Sequence, residues 1–390
     1  MTSTAHAFDV HPRTRLVYGP GSVERVGALT AELSARRVLL ITDPGIVRAG
    51  HAERVQDHLQ DAGLSVVRFE GVVENPTTRV VDACVAAARD AQADTLIGLG
   101  GGSSMDTAKG CNFLLTNGGR MQDYWGVGKA TKQMLPLLLI PTTAGTGSEC
   151  QSFALISDEK THRKMACGDP KAAARVAILD PDLTLTQPRP VAAATGIDTV
   201  AHAVETAVTT KRNPLSAMYS REAFRLAERY LPKVLEQPDD LDARGHMQLA
   251  AAFAGTAIEN SMLGAAHAAA NPLTARFGVV HGQAVGMMLP AVVRFNGQDP
   301  AAQAAYADLA RTARLGDANA GPGDLVHALA ARLEALLASA GMPGQLSPFN
   351  VSQGDLPHLA RDAAEQWTAG FNPRPVTPAD FQALYARVLD

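Results

Sequence analysis

Thr95-Leu96-Ile97-Gly98-Leu99-Gly100-Gly101-Gly102-Ser103-Ser104-Met105-Asp106-Thr107-Ala108-Lys109 decides the fold class. The first six residues read as a buried strand. The glycines then turn the chain, and the remainder opens a helix. Glycines let a backbone come close to a pyrophosphate, and the free N–H groups of a helix start favour negative charge. The spacing is neither the G-x-G-x-x-G of a dinucleotide fingerprint nor a P-loop ending in GK[ST]. Taken alone, it fits a tight strand-to-helix turn as well as a phosphate cradle.

The flanking sequence repeats the pattern. Residues 37–43, 64–69 and 137–140 read as further strands, the last bracketed by Pro136 and Pro141. Between them lie segments of helical spacing, such as residues 80–89 with apolar residues at 80, 81, 84, 85 and 88. Strands alternating with helices predict an α/β domain with a parallel sheet and helices on both faces. In such sheets, ligands bind beyond the carboxyl ends of the strands. From about residue 190 the strand signals stop and alanine-rich helical segments follow, at 196–209, 214–230, 241–257 and 325–340. The expected organisation is an α/β domain over residues 1–189 and an all-α domain over 190–390, divided near Gln187-Pro188-Arg189-Pro190.

Composition narrows the function classes. Lys and Arg number 35 against 39 Asp and Glu in 390 residues, a balance that argues against a nucleic-acid binder. The 46% hydrophobic and 19% charged shares predict an ordered globular chain. No apolar run reaches the roughly 18–20 residues that span a bilayer. The first residues show no basic segment followed by an apolar one. Cys84, Cys111, Cys150 and Cys167 contain no CxxC pair, so neither a disulfide framework nor a thiolate zinc site is expected. A cytoplasmic location without membrane partners is the expectation.

Two more turns bear on a nucleotide. Asp43 ends the residue 37–43 strand, where a carboxylate can accept from both ribose hydroxyls of an adenosine and repel a 2′-phosphate, favouring NAD over NADP. Asp43-Pro44-Gly45 is equally a turn in its own right. Pro141-Thr142-Thr143-Ala144-Gly145-Thr146-Gly147-Ser148-Glu149 follows the next strand with hydroxyls and small residues suited to a nucleotide groove. Further on, Asp198 and His202 stand four apart, which places both on one helix face. With His267 and His281 they offer three imidazoles and a carboxylate, a donor set for a divalent cation. Against this, Thr195-x-x-Asp198 fits a capping box, and His202 fits a core histidine. Spacing does not choose between these readings.

Together these stretches resemble the iron-containing (group III) alcohol dehydrogenase family. The resemblance runs from Tyr18-Gly19-Pro20-Gly21 through the GGGSxxDxAK turn at 100–109, PTTAGTGSE at 141–149 and Arg163-Lys164. It continues through GIDTVAHAVE at 196–205, NSMLGAAH at 260–267, HGQAVGMMLP at 281–290 and Asn372-Pro373-Arg374-Pro375. It implies an N-terminal nucleotide-binding domain, a helical C-terminal domain and an active site in the cleft between them. It implies Asp198, His202, His267 and His281 as the metal ligands and catalytic centre, with Fe(II) expected and Zn or Mn tolerated by the same donors. It implies a pyrophosphate site at Gly101, Gly102 and Ser103 within the Asp106-containing motif, and an adenosine ribose at Asp43. Asn75, Thr142, Thr143, Thr146, Lys164 and Leu183 match positions that line the dinucleotide in relatives. The implied activity is NAD(H)-dependent, metal-assisted interconversion of a small alcohol and its aldehyde or ketone, by a homodimer or larger homo-oligomer.

One position departs from the family. A second histidine commonly follows the third ligand by four residues; here that residue is Asn271, which cannot titrate. A proton route through position 271 is therefore in doubt, and one through the cofactor ribose and water is the alternative. Three other functions compete: a metal-independent reductase of the maleylacetate-reductase kind, a dehydroquinate-synthase-type lyase, and a non-catalytic NAD-binding protein. The complete Asp/His set argues against the first. The lack of a basic cluster around residues 196–290 argues against the second.

Overall fold

The structure is a computed structural model describing residues 8–161, 163–317 and 319–390. The chain divides into two compact units, His11–Gln187 and one built from Pro188–Asp390.

Among its described residues the His11–Gln187 unit contains nine strands: β1 (Arg15–Tyr18), β2 (Arg37–Ile41), β3 (Ser65–Phe69), β4 (Thr95–Gly100), β5 (Gly126–Val127), β6 (Leu137–Pro141), β7 (Phe153–Ser157), β8 (Lys164–Gly168) and β9 (Val176–Leu179). Six form a parallel sheet in the order β1-β9-β6-β4-β2-β3. Its central strands are apolar throughout because both faces are covered. Leu39, Ile41, Leu96, Leu137 and Leu139 face one way, under the Thr78–Asp90 and Gly102–Asn117 helices. Val38, Leu40, Ile97, Leu99, Leu138 and Ile140 face the other, under the Val26–Ala31 and His51–Asp61 helices.

The four strands read from the sequence are β2, β3, β4 and β6. The edge strand β1 and the short β9 extend that sheet. A second sheet, β5-β8-β7, pairs β7 and β8 antiparallel. Its alternation of buried and half-buried residues along β7 lacks the continuous apolar run of the central strands.

The Pro188–Asp390 unit is helical. The segments expected at 196–209, 214–230, 241–257 and 325–340 are the helices Arg189–Thr206, Pro214–Glu236, Leu241–Asn260 and Pro322–Ser339. Two more matter for the site, Ala265–Phe277 and His281–Asn296. A Cβ on Gly282 would lie 2.0 Å from the Ala194 carbonyl oxygen. Only glycine lets the start of the His281–Asn296 helix come this close to the Arg189–Thr206 helix.

Candidate metal centre and nucleotide loops

Thr195, the N-cap of the capping-box alternative, lies mid-helix with Asp198 in Arg189–Thr206, whose N-cap is Pro188; that excludes the alternative, because an N-cap residue sits outside the helix it opens. His202 follows one turn later, with its Nε2 3.4 Å from Asp198 Oδ1. His267, in the first turn of Ala265–Phe277, puts Nε2 3.4 Å from the same oxygen. His281, the first residue of its helix, puts Nε2 4.0 Å away. The His202 and His267 rings stack with centroids 4.8 Å apart. Ligand atoms of Asp198, His267 and His281 all fall within 4.8 Å of one another.

Three imidazole nitrogens thus converge on one carboxylate oxygen. Asp198 Oδ1 and His267 Nε2 are buried without a hydrogen-bond partner. Buried polar atoms seldom stay unsatisfied, and a cation among them would satisfy both. Nitrogen and oxygen donors in this number suit a first-row divalent ion. Burial alone would raise the Asp198 pKa, but the surrounding imidazoles outweigh it and hold the carboxyl far below its ordinary range. Burial would likewise lower His267, yet Glu205 and Asp198 push it up to about 9.

Sequence reasoning passed over Glu205. It stands three residues after His202 and seven after Asp198, on the same helix face, and that periodicity was the available signal. Its Oε1 accepts from Ala266 N at 2.7 Å, and its Oε2 accepts from His267 Nδ1. Asn271, one turn beyond His267, donates from Nδ2 to Gln366 Oε1 at 3.0 Å.

In the His11–Gln187 unit, the expected nucleotide residues gather at the carboxyl ends of neighbouring parallel strands. Asp43 follows β2, Asn75 lies beyond β3, Gly101 to Ser103 follow β4, Thr142 to Thr146 follow β6 and Leu183 follows β9. Thr142 N donates to Gly100 O at 3.0 Å. Asn75 N donates to Ser103 Oγ at 3.3 Å. A Cβ on Gly102 would meet Thr146 Cγ2 at 2.8 Å, so the glycine and threonine loops pack directly together. The Gly102–Asn117 helix has no side-chain cap, leaving its first-turn amides for an anion.

Four residues behave differently from the simplest expectation: Asp43, Leu183, Asp106 and Lys164. Asp43 serves the turn: its Oδ1 caps the Pro44–Arg48 helix by accepting from Gly45 N and Ile46 N, at 2.8 and 3.1 Å. The Asp43 Oδ2 lies beside Gly100. Leu183 buries its side chain completely in the core with Val23 and Val26, so only its backbone can line a ligand. Asp106 is buried beneath the loops, where Ser148 Oγ donates to its Oδ1 at 2.7 Å. Lys109 Nζ lies in the same network, donating to Ser148 O and Oγ and to Phe153 O at 2.6, 2.7 and 2.9 Å. This network ties the helix behind the glycine loop to the threonine loop. Lys164 is exposed at the start of β8, in the second sheet rather than at the edge shared by the others.

The chain matches a family model described as iron-containing alcohol dehydrogenase over residues 12–181. A second model, the C-terminal domain of the Fe-containing alcohol dehydrogenase family, matches residues 192–389. The NAD-dependent methanol dehydrogenase of Bacillus methanolicus is 33% identical over 382 residues, 96% of this chain and 97% of that relative. The crystal structure of a 1,3-propanediol oxidoreductase superposes with a TM-score of 0.95 at 29% identity, covering 98% of this chain and 100% of that one. The sulfoacetaldehyde reductase of Bifidobacterium kashiwanohense, solved in complex with NAD+, gives a TM-score of 0.87 at 26% identity, covering 98% of both chains.

Proposed function

Because this chain belongs to the iron-containing alcohol dehydrogenase family, an oxidoreductase family, we propose that it interconverts a small alcohol and its aldehyde or ketone with NAD(H) at the Asp198/His202/His267/His281 cluster. The observation that carries this reading is the convergence of three imidazole Nε2 atoms within 4.0 Å of the buried Asp198 Oδ1. These four side chains would hold the cation, Fe(II) by family and Zn or Mn by donor chemistry. A divalent ion in such a site supplies Lewis acidity toward the substrate oxygen, favouring the alkoxide near neutral pH in oxidation and polarising the carbonyl in reduction.

The protein's residues supply the rest. Asp198 contributes the negative charge of the donor set, and Glu205 holds the Nδ1 proton of His267 so that Nε2 faces the cluster. The first-turn amides at Gly102 and Ser103 would bind the dinucleotide pyrophosphate, with Thr142, Thr143, Thr146 and Asn75 around it and Asp43 toward the adenosine ribose. Asp106 supports the loops from beneath. NAD held by these loops would supply the acceptor or donor of the hydride. Asn271 carries no titratable proton and is bonded to Gln366, so its side chain does not move a proton to or from the substrate. The metal-independent reductase reading is less well supported, since it leaves two buried atoms of the cluster unsatisfied.

We assign a cytoplasmic location, supported by four cysteines of which none is in a disulfide. No helix among the described residues is long and apolar enough to cross a membrane. We also propose a homo-oligomer, supported by the edge position of β1 with Leu16 and Tyr18 exposed on it. Sedimentation velocity tests the latter. The activity is tested by stripping the protein with a chelator, adding back single divalent metals and following NADH oxidation with short aldehydes. Restoration by Fe(II), Zn or Mn is expected; undiminished turnover by metal-free protein would overturn the mechanism.

A further inference from the structure

The Ala265–Phe277 helix, which carries His267, begins after Gly264 and so has no side chain of its own at the capping position. Its first amides are satisfied from elsewhere in the unit. Ala265 N donates to Asn372 Oδ1 at 3.3 Å, and Ala266 N donates to Glu205 Oε1 at 2.7 Å. The other Glu205 oxygen takes the Nδ1 hydrogen of His267. Glu205 is 2% exposed and belongs to the Arg189–Thr206 helix, which also carries Asp198 and His202. One carboxylate therefore fixes the Ala266 backbone and the His267 imidazole, neighbouring residues on a different helix. Asn372 is itself held by two bonds with Asn296, the last residue of the helix that begins with His281.

Neutral imidazole carries one proton. A carboxylate at Nδ1 keeps the proton there and leaves the Nε2 lone pair free to coordinate. His267 Nε2 is buried without a hydrogen-bond partner and faces Asp198 Oδ1. The two ends of the ring are thus committed to different tasks.

We propose that Glu205 is the positioning residue of the metal centre, setting the tautomer and orientation of His267 and joining it to the helix that carries Asp198 and His202. This rests on the assignment of those three residues and His281 as ligands. Glutamine in place of Glu205 has the same shape but opposes one N–H with another. If its oxygen accepts from Ala266 N, its NH2 faces His267 Nδ1, and the clash is relieved when the ring carries its proton on Nε2 instead; the buried contacts are then kept, but the lone pair a cation needs is lost. Carboxylates in this position change metal affinity by about 10- to 100-fold.

The test is Co(II) titration of chelator-treated protein, read by the visible absorption of the bound ion, beside urea unfolding of the same metal-free samples. Glu205→Gln should bind Co(II) about 10- to 100-fold more weakly while its unfolding midpoint stays near that of the parent. Asn372→Ala removes a helix cap without touching the imidazole, so it should lower the midpoint and leave Co(II) affinity little changed. Parental affinity in Glu205→Gln overturns the proposal. So does a loss of affinity matched by Asn372→Ala, which would reduce Glu205 to a helix cap. If instead His267→Ala binds Co(II) as tightly as the parent, the ligand assignment itself fails. Histidine-selective 15N NMR of the Zn-loaded parent gives a second readout: the His267 proton belongs on Nδ1, and a proton on Nε2 contradicts the proposal.

Discussion

Replacing Glu149 by glutamine should make the protein more stable, and increasingly so as the pH rises. Glu149 ends the threonine loop, only 2% exposed, beside the network of Asp106, Lys109 and Ser148. Burial raises its pKa from 4.5 to about 7, against smaller opposing effects from a backbone hydrogen bond and Lys109. The folded pKa lies above the unfolded one. Between pH 4.5 and 7 the folded state therefore holds a proton that the unfolded state has released, and stability falls as pH rises through this window. The shift corresponds to about 3 kcal/mol, present as stability below the unfolded pKa and lost above the folded one. Glutamine has no proton to lose and keeps the shape. Urea unfolding of both proteins in steps from about pH 5 to pH 8.5 should show the stability difference, variant minus parent, growing by roughly 2–3 kcal/mol in favour of the variant. A difference that stays flat across this range would mean the carboxylate is solvated or fully paired, and would refute the reasoning.

Three other substitutions probe the loops and the cluster. Gly102→Ala would drive a methyl against Thr146, where Cγ2 lies 2.8 Å from the new carbon; NADH affinity by fluorescence titration should fall about tenfold or more, and unchanged affinity would show that these loops do not form the nucleotide site. Asp43→Ser keeps an N-cap oxygen for Gly45 and Ile46 but removes the charge, so kcat/KM with NADP+ should rise relative to NAD+ by about tenfold; a constant ratio would separate Asp43 from the ribose. Asn271→His introduces a titratable ring one turn beyond His267, and the pH profile of kcat should gain a limb near about 6.5 that the parent lacks. An identical profile in both proteins would place position 271 outside the proton route.

The central strands were legible because burial on both faces writes an uninterrupted apolar run, as in Leu137–Pro141 and Thr95–Gly100. Edge strand β1 was not: only Val17 of its four residues is buried, and Arg15 breaks the run. The hairpin of β7 and β8 was missed for a related reason, since five residues per strand, alternating along β7 only, are too few to distinguish from helix. At the metal cluster, the four-residue step from Asp198 to His202 was local and readable. The approach of His267 and His281 was not, because it depends on contacts such as Gly282 against Ala194, between residues almost ninety positions apart. Only the family resemblance joined those segments in advance. Glu205 carried the right periodicity, but a glutamate on a helix face is usually solvated. Its burial comes from the Gly264–His267 turn, which no local pattern announces. Asp43 was read both as part of a turn and as a ribose partner; the first is visible in its hydrogen bonds, and the second rests on its place at the carboxyl end of β2.

The most direct measurement is X-ray absorption at the metal edge of Fe(II)-loaded protein, with Asp198→Asn as the control. Imidazole scattering from three nitrogens and one carboxylate oxygen, at about 2.0–2.2 Å, is the expected result, with the site lost or remade in the variant. A spectrum without histidine scattering, or one unchanged by Asp198→Asn, would contradict the assignment of this cluster as the reaction centre.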